Sequence, residues 1–91
     1  SYVPDQYLLH QNYPNPFNPI TSITFELPED SDVQLSIYNL TGRKVRTLIH
    51  EMKDAGKHTI QLNGNNLSSG IYFYVLDAQS NMLVKKLVLI K

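Results

Sequence analysis

Three histidines and a few carboxylates are the side chains of this chain best suited to acid-base or metal chemistry. His10, His50 and His58 lack close spacing to one another, and no His-Glu-x-x-His motif is present. Five of the eight carboxylates occur in two short segments with the character of turns, residues 29–32 and 51–54. Histidines in this setting are mostly surface or strand residues. We therefore expect neither a metal centre nor a paired general acid and base.

The nucleophile and ligand-binding motifs are equally sparse. Ser68 and Ser69 precede Gly70, but the Gly-x-Ser-x-Gly elbow that activates a serine is missing, and the chain has no cysteine. Asp30 and Asp32 could bind calcium weakly, yet the calcium-loop pattern and its closing glutamate are absent. The sequence thus predicts a domain that is not an enzyme and that holds no cofactor.

Composition excludes two further classes of function. The 91 residues have a formal net charge of +0, and 18% are charged, whereas nucleic-acid-binding domains carry a basic surface that displaces counterions. The longest apolar runs, residues 71–76 and 87–90, are far shorter than the roughly 20 residues of a membrane-spanning helix. We expect residues 1–6 to be the end of a linker and residues 7–91 to form one domain at the C-terminus of a larger protein.

Residues 11–20, called the proline loop from here on, have the sequence Gln-Asn-Tyr-Pro-Asn-Pro-Phe-Asn-Pro-Ile. Pro14, Pro16 and Pro19 lack a backbone N–H and restrict the residues before them, which excludes a helix and a central strand. The loop must therefore follow a sheet edge or the surface, with Tyr13 and Phe17 able to anchor it on apolar residues. Its asparagines are expected to form Asx-turns with their own backbone.

The rest of the chain alternates apolar and polar residues with a period of two, which is typical of half-buried strands. The pattern predicts strands near residues 7–10, 22–27, 32–37, 44–49, 58–62, 71–76 and 82–90, with a looser break over 51–56. Residues 71–76 are apolar on both faces, as in a central strand covered on both sides. Lys85 and Lys86 must point to opposite faces. These features predict an all-β fold, an immunoglobulin-like antiparallel β-sandwich of about seven strands.

Four separated blocks carry a family resemblance. They are Asn12-Tyr-Pro-Asn-Pro-Phe-Asn-Pro of the proline loop, Ile37-Tyr-Asn-Leu-Thr-Gly-Arg-Lys-Val, Ala55-Gly-Lys-His, and Ser69-Gly-Ile-Tyr-Phe-Tyr-Val followed by Lys85-Lys86. In this order, over residues 7–91, they resemble the C-terminal sorting domain, type A, of proteins exported by the type IX secretion system. The sequence departs from the family pattern at Asn39, Leu62 and Ile20, where the family usually has aspartate, tryptophan and threonine.

The resemblance implies an immunoglobulin-like module at the C-terminus of secreted enzymes and adhesins of Bacteroidetes-type bacteria. Such a module directs the cargo domains that precede it through the periplasm and across the outer membrane, to the cell surface or the medium. Its implied partners are the outer-membrane secretion machinery and a sortase-like protease that removes it. The matching motif positions imply seven recognition residues: Pro14, Asn15, Pro16, Gly70, Tyr72, Lys85 and Lys86.

Each of these residues also has a purely structural interpretation. Gly70 can serve only to turn the chain into its strand, and Tyr72 can be a core residue. Lys85 and Lys86 can protect an edge strand against aggregation, and the prolines can stiffen an edge cover.

Two other functions remain open at the level of sequence. A carbohydrate-binding module could stack sugars on Tyr2, Tyr7, Tyr13, Tyr72 and Tyr74, although the chain has no tryptophan. A structural immunoglobulin-like accessory module of a secreted enzyme is the other alternative.

Overall fold

The computed structural model describes residues 3–91, and within that range the chain forms seven strands and no helix. The strands are β1 (Leu8–Leu9), β2 (Ile20–Leu27), β3 (Ser31–Tyr38), β4 (Lys44–Lys53), β5 (Gly56–Asn63), β6 (Gly70–Ala78) and β7 (Asn81–Leu89). The first two residues of the predicted linker lie outside the described part of the chain. No helix that could cross a membrane is found between residues 3 and 91.

The strands form two antiparallel sheets. The three-stranded sheet has the order β1-β2-β5, and the four-stranded sheet has the order β4-β3-β6-β7. The connections β2–β3, β4–β5 and β5–β6 each cross from one sheet to the other, as in immunoglobulin-like sandwiches. The predicted all-β sandwich of seven strands is confirmed.

The core lies between the sheets and follows from the period-two pattern. On β2 the residues Ile23, Phe25 and Leu27 are fully buried, and the alternating apolar residues of β3 are buried against them. Each large apolar side chain buried in this way contributes about 1.5–3 kcal/mol. The core has sixteen buried residues, and the thirteen besides those of β2 come from β1, β3, β5, β6 and β7, from the proline loop and from the turn before β6: Leu9, Phe17, Val33, Leu35, Ile37, Leu62, Leu67, Tyr72, Tyr74, Leu76, Ala78, Leu87 and Leu89.

β4 is longer than the sequence predicts. The stretch expected to be loose is strand as far as Lys53, because β3 begins already at Ser31 and supplies it with partners through the pair Ser31↔Lys53. β4 lies at the edge of its sheet and does not need a buried apolar face in order to pair with β3, so apolar and polar residues alternate only weakly along it. The register shifts twice along this pair, between Leu35 and Ser36 and between Ile37 and Tyr38.

β6 is central in its sheet, but the prediction that both of its faces are covered is wrong. Tyr72, Tyr74 and Leu76 are buried in the core, whereas Ile71 on the opposite face is 37% exposed. A two-layer sandwich covers only the inner face of each sheet, so the outer apolar residues of β6 are screened only by their neighbours in the sheet.

The proline loop forms neither helix nor central strand, as predicted. It leaves the three-stranded sheet after the bridge Tyr13↔Ser22 and reaches the four-stranded sheet at the bridge Phe17↔Leu89. The three peptide bonds that precede its prolines are cis. Phe17 is 2% exposed and anchors the loop, but the prediction for Tyr13 is wrong, because its ring is 81% exposed.

Candidate functional site

The outer edge of β7 is where the proline loop meets the end of the domain. β7 has β6 on one side, and on the other side Phe17 N–H donates to the carbonyl of Val88 at 2.9 Å. The N–H of Ile90 donates to the Phe17 carbonyl at 3.0 Å, and the N–H of Val88 donates to Oδ1 of Asn15 at 3.0 Å. The amide of Gln11 adds a bond to the Lys86 carbonyl at 2.6 Å. We call this set of bonds the clasp.

Asn15 therefore does not form the expected Asx-turn. Its side-chain oxygen takes the place of a backbone carbonyl and accepts the N–H of Val88, which continues the ladder on the far side of β7. The loop thus covers the outer edge of β7 with the side chain of Asn15 and the backbone of Phe17.

A buried polar network around Asn12 fixes the start of the loop. The Asn12 side chain is 2% exposed, and its Nδ2 donates to the Pro14 carbonyl at 3.1 Å and to Oγ1 of Thr21 at 3.0 Å. The Thr21 hydroxyl donates in turn to the Pro14 carbonyl at 2.8 Å, and Gln11 Nε2 donates to Asn12 Oδ1 at 2.7 Å. Because buried polar groups are costly unless bonded, this network favours one conformation of the loop.

The hydroxyl of Tyr74 connects this network to the core. It accepts the N–H of Asn12 at 2.8 Å and donates to the carbonyl of His10 at 2.6 Å. Burial raises the pKa of the Tyr74 hydroxyl to about 12, against a smaller opposing contribution from the Asn12 bond. The hydroxyl therefore keeps its proton, and its bond to His10, at every physiological pH.

Close packing behind Phe17 depends on Gly64. A Cβ at residue 64 would lie 3.1 and 3.2 Å from the methyl carbons of Leu89 and 3.2 Å from Cε2 of Phe17. The N–H of Gly64 also donates to the carbonyl of Pro19 at 2.7 Å. The absence of a side chain at Gly64 thus lets the aromatic ring and the terminal strand approach the turn after β5.

The structure brings the seven residues predicted from the motifs to one region. β6 places Gly70 opposite Leu89 and Tyr72 opposite Leu87, on the side of β7 that faces away from the proline loop. The end of β7 is therefore enclosed between the start of β6 and the loop. Around it lie all the predicted positions: Pro14, Asn15, Pro16, Gly70, Tyr72, Lys85 and Lys86.

These residues differ in accessibility. Pro14, Asn15, Pro16 and both lysines are exposed, and neither lysine forms an ion pair within the part of the chain that the structure describes. Tyr72 is 7% exposed, and its hydroxyl donates to the Ser68 carbonyl at 2.6 Å, so its ring belongs to the core. Gly70 has φ +151 with no atom close to the position of a Cβ. Glycine is required there because residues with a side chain disfavour this backbone conformation, and not because space is lacking.

Several residues of the site were not found by sequence reasoning. Gln11, Thr21, Gly64 and Tyr74 hold the clasp in place, but their partners are remote in sequence, as in the pair Asn12 and Tyr74. Of these four residues, only Tyr74 could have been identified from the sequence. It carries a polar hydroxyl inside the most apolar strand, and a buried hydroxyl needs a hydrogen-bond partner.

The potentially reactive side chains have structural partners instead. His10, directly after β1, contacts the buried carboxylate of Glu26 on β2, a pairing that their sequence spacing did not reveal. His58 stacks on Phe25 with ring centroids 5.4 Å apart. Oδ1 of Asp30 accepts the N–H of Ala55 at 2.8 Å. In residues 3–91 no cluster of three His, Cys, Asp or Glu side chains could hold a metal ion.

The tyrosines do not form a platform for sugars among the described residues. Tyr72 and Tyr74 are buried, and the hydroxyl of Tyr7 is bonded to Glu29 Oε2 at 2.9 Å. Tyr13 alone presents an exposed ring, while Tyr2 lies outside the described range. The arrangement does not favour a carbohydrate-binding module.

Fold and site together define a compact β-sandwich whose proline loop is bonded to the outer edge of its last strand. The family of secretion system C-terminal sorting domains matches the chain over residues 11–91, and the chain belongs to this family. Neither a curated protein nor a solved structure matches it. Domains of this family are sorting signals of the type IX secretion system, so the function is to direct an attached protein across the outer membrane to the cell surface or the medium.

Proposed function

We propose that the export machinery reads this domain at the end of β7 and that the domain itself catalyses no reaction. The recognition surface consists of the exposed part of the proline loop, at Pro14, Asn15 and Pro16, and of the lysine pair. Gly70 and Tyr72 act as positioning residues on the opposite side of the strand.

The observation that carries this proposal is the clasp. Four hydrogen bonds tie Gln11, Asn15 and Phe17 to residues 86–90, so two motifs about seventy residues apart in sequence form one surface. The lysines carry two unpaired positive charges there, and exposed unpaired charges at a shaped surface favour recognition by a partner of opposite charge.

A reporter fused ahead of residues 1–91 tests the lysine part in a host with a type IX system. We expect the double variant Lys85→Ala and Lys86→Ala to lose export while its thermal midpoint stays close to that of the parent, because both side chains are exposed. The matched control is the double variant Lys44→Ala and Lys57→Ala, which replaces two exposed lysines on β4 and β5, the strands at the opposite edges of the two sheets. Unchanged export of the β7 variant would contradict the proposal.

The loop part has its own test. Asn15→Ala removes the acceptor of the Val88 N–H and so frees one side of the clasp, whereas Asn18→Ala changes an exposed asparagine of the same loop. We expect weaker export for Asn15→Ala only. Point variants serve better here than deletion of residues 88–91, since deletion would also remove Leu89, a core residue.

We further propose that the sortase-like protease cleaves ahead of β1, in or before the predicted linker of residues 1–6. Residues 3–7 form no strand, whereas strand pairing begins at Leu8, and proteases need an extended unpaired segment. Mass spectrometry of the domain released during export would check this. A cleavage point inside a strand of the sandwich would refute it.

A further inference from the structure

The clasp covers only half of the outer edge of β7. Its bonds engage the Lys86 carbonyl, both backbone groups of Val88 and the Ile90 N–H. These groups point away from β6. Because backbone direction alternates along a strand and the register of β6 with β7 is unbroken, the groups of Met82 and Val84 and the N–H of Lys86 point the same way.

Nothing in the described range bonds to that earlier half. Met82 and Val84 take part in no hydrogen bond outside their own sheet. Among residues 3–91 the one strand hydrogen-bonded to β7 is β6, while β1 of the other sheet lies near β7 without bonding to it. The edge from residue 82 to 86 therefore offers a row of donors and acceptors spaced for another strand. This open part of the edge ends at residue 86, where the bonds of the clasp begin.

The side chains around this open half have a definite chemistry. Met82 is 65% exposed and Val84 is 53% exposed on the outer face, and Val84 lies opposite Val75 of β6. Lys86 follows on the same face, and Lys85 lies on the other. A strand added here would set alternate residues beside the apolar pair and its end beside the two lysines.

This chemistry disfavours a second copy of the chain as occupant. Antiparallel pairing of two copies over residues 82–86 would bring four lysines onto one short edge, and like charges on neighbouring strands destabilise pairing. An acidic partner would neutralise the same charges, so the edge is blocked for self-association but suited to a complementary chain.

We infer that residues 82–86 of β7 are a docking edge for an extended segment of the secretion machinery that carries apolar residues at alternate positions and a carboxylate near the lysine pair. The segment adds to the four-stranded sheet next to β7 and extends the row of bonds that the proline loop begins. This inference rests on the proposed reading of the domain at the end of β7.

The test removes one outward donor without touching the bonds to β6. Val84→Pro deletes the free N–H of residue 84, and Val84→Thr keeps that N–H and a β-branched side chain of similar shape. Each is fused to the exported reporter, and the folding of each is checked by the circular dichroism and thermal midpoint of the domain. We expect export of the Val84→Pro variant to fall about tenfold, because the docked segment would lose one hydrogen bond and clash with the proline ring. Export of the Val84→Thr variant should stay near normal.

A folded Val84→Pro variant that is exported normally would overturn the docking edge. Should that variant fail to fold, Met82→Pro at the start of the strand takes its place, and a photoreactive residue at position 84 gives an independent measurement. Crosslinking from position 84 to a protein of the cell envelope, but not from the exposed Gln61 on β5, is the expected result. Crosslinks to a second copy only, or none, would overturn the inference.

The outcomes also separate this inference from the proposed function. If replacing the lysines abolishes export while a folded Val84→Pro variant is exported normally, the proposed recognition surface at the end of β7 is supported and strand addition is rejected. Normal export of both would reject the two together.

Discussion

The contact of Phe17 with Gly64 gives the sharpest test of how the proline loop is held. We expect Gly64→Ala to destabilise the domain, because the new methyl group would lie 3.1–3.2 Å from Leu89 and Phe17. These neighbours have little freedom to move. Phe17 is tied to β7 through both of its backbone groups, and Leu89 is paired with Gly70 and 1% exposed.

The expected size follows from two opposing effects. Replacing glycine by alanine at an ordinary φ reduces the entropy of the unfolded chain and stabilises by about 0.4–1 kcal/mol. Overpacking a filled core costs about 1–3 kcal/mol. We therefore expect a net loss of about 1 kcal/mol in the free energy of unfolding. Phe17→Leu alone should cost about 1 kcal/mol and make room beside residue 64.

Urea unfolding of the four proteins of the double-mutant cycle measures the coupling. Because one of the three close contacts is with Phe17 and two are with Leu89, relief by Phe17→Leu is partial, and we expect a coupling of about 0.5 kcal/mol or somewhat more. Gly42→Ala is the control, since no atom lies within 4 Å of its Cβ position and its cost comes from φ +85 alone. A neutral Gly64→Ala, or strictly additive effects with Phe17→Leu, would refute the packing argument.

Three further predictions concern buried polar groups. Asn12→Ala should cost about 2 kcal/mol in urea unfolding, because it leaves buried partners of the loop network without their bonds; a loss below about 0.5 kcal/mol would contradict that role. Since folding raises the pKa of Tyr74 from 10.0 to about 12, its contribution is fully present below pH 10 and is lost as the pH rises through 12, by about 2–3 kcal/mol. Tyr74→Phe, though less stable at neutral pH, should lack this part of the alkaline loss, and equal losses for both proteins would disprove it. The hydroxyl of Ser36 is the one buried side-chain polar atom without a hydrogen-bond partner within residues 3–91, so Ser36→Val should raise stability by about 1 kcal/mol in the same assay, and a decrease would count against it.

Much of the fold was predictable because strands with one buried face alternate visibly in sequence. β2 and β3 are the clearest cases: their buried apolar residues are the ones that the alternation indicated, although Glu26 and Ser36, which it placed on the opposite faces, are buried as well. β4 was less predictable, since an edge strand with a largely exposed surface has no such pattern, and its end is set by its partner β3. The exposed face of β6 was missed because apolar residues there look the same in sequence as core residues.

The site was predictable as a set of motifs but not as a geometry. The prolines indicated a surface loop, and Phe17 was expected to anchor it, yet nothing local shows that Asn15 reaches Val88 or that Asn12 reaches Tyr74. Such contacts depend on how the two sheets are stacked, which a pattern of single strands does not determine.

The bridge between Phe17 and Leu89 joins the beginning of the domain to its end. During synthesis the loop emerges early, yet its partners at residues 88–90 emerge only when nearly the whole domain has been translated. A polypeptide terminated prematurely within β7 could not close the sandwich in this way. The bonds between the loop and residues 88–90 therefore form only after translation has proceeded through these residues, so the covered edge of β7 is a feature of the completed domain alone.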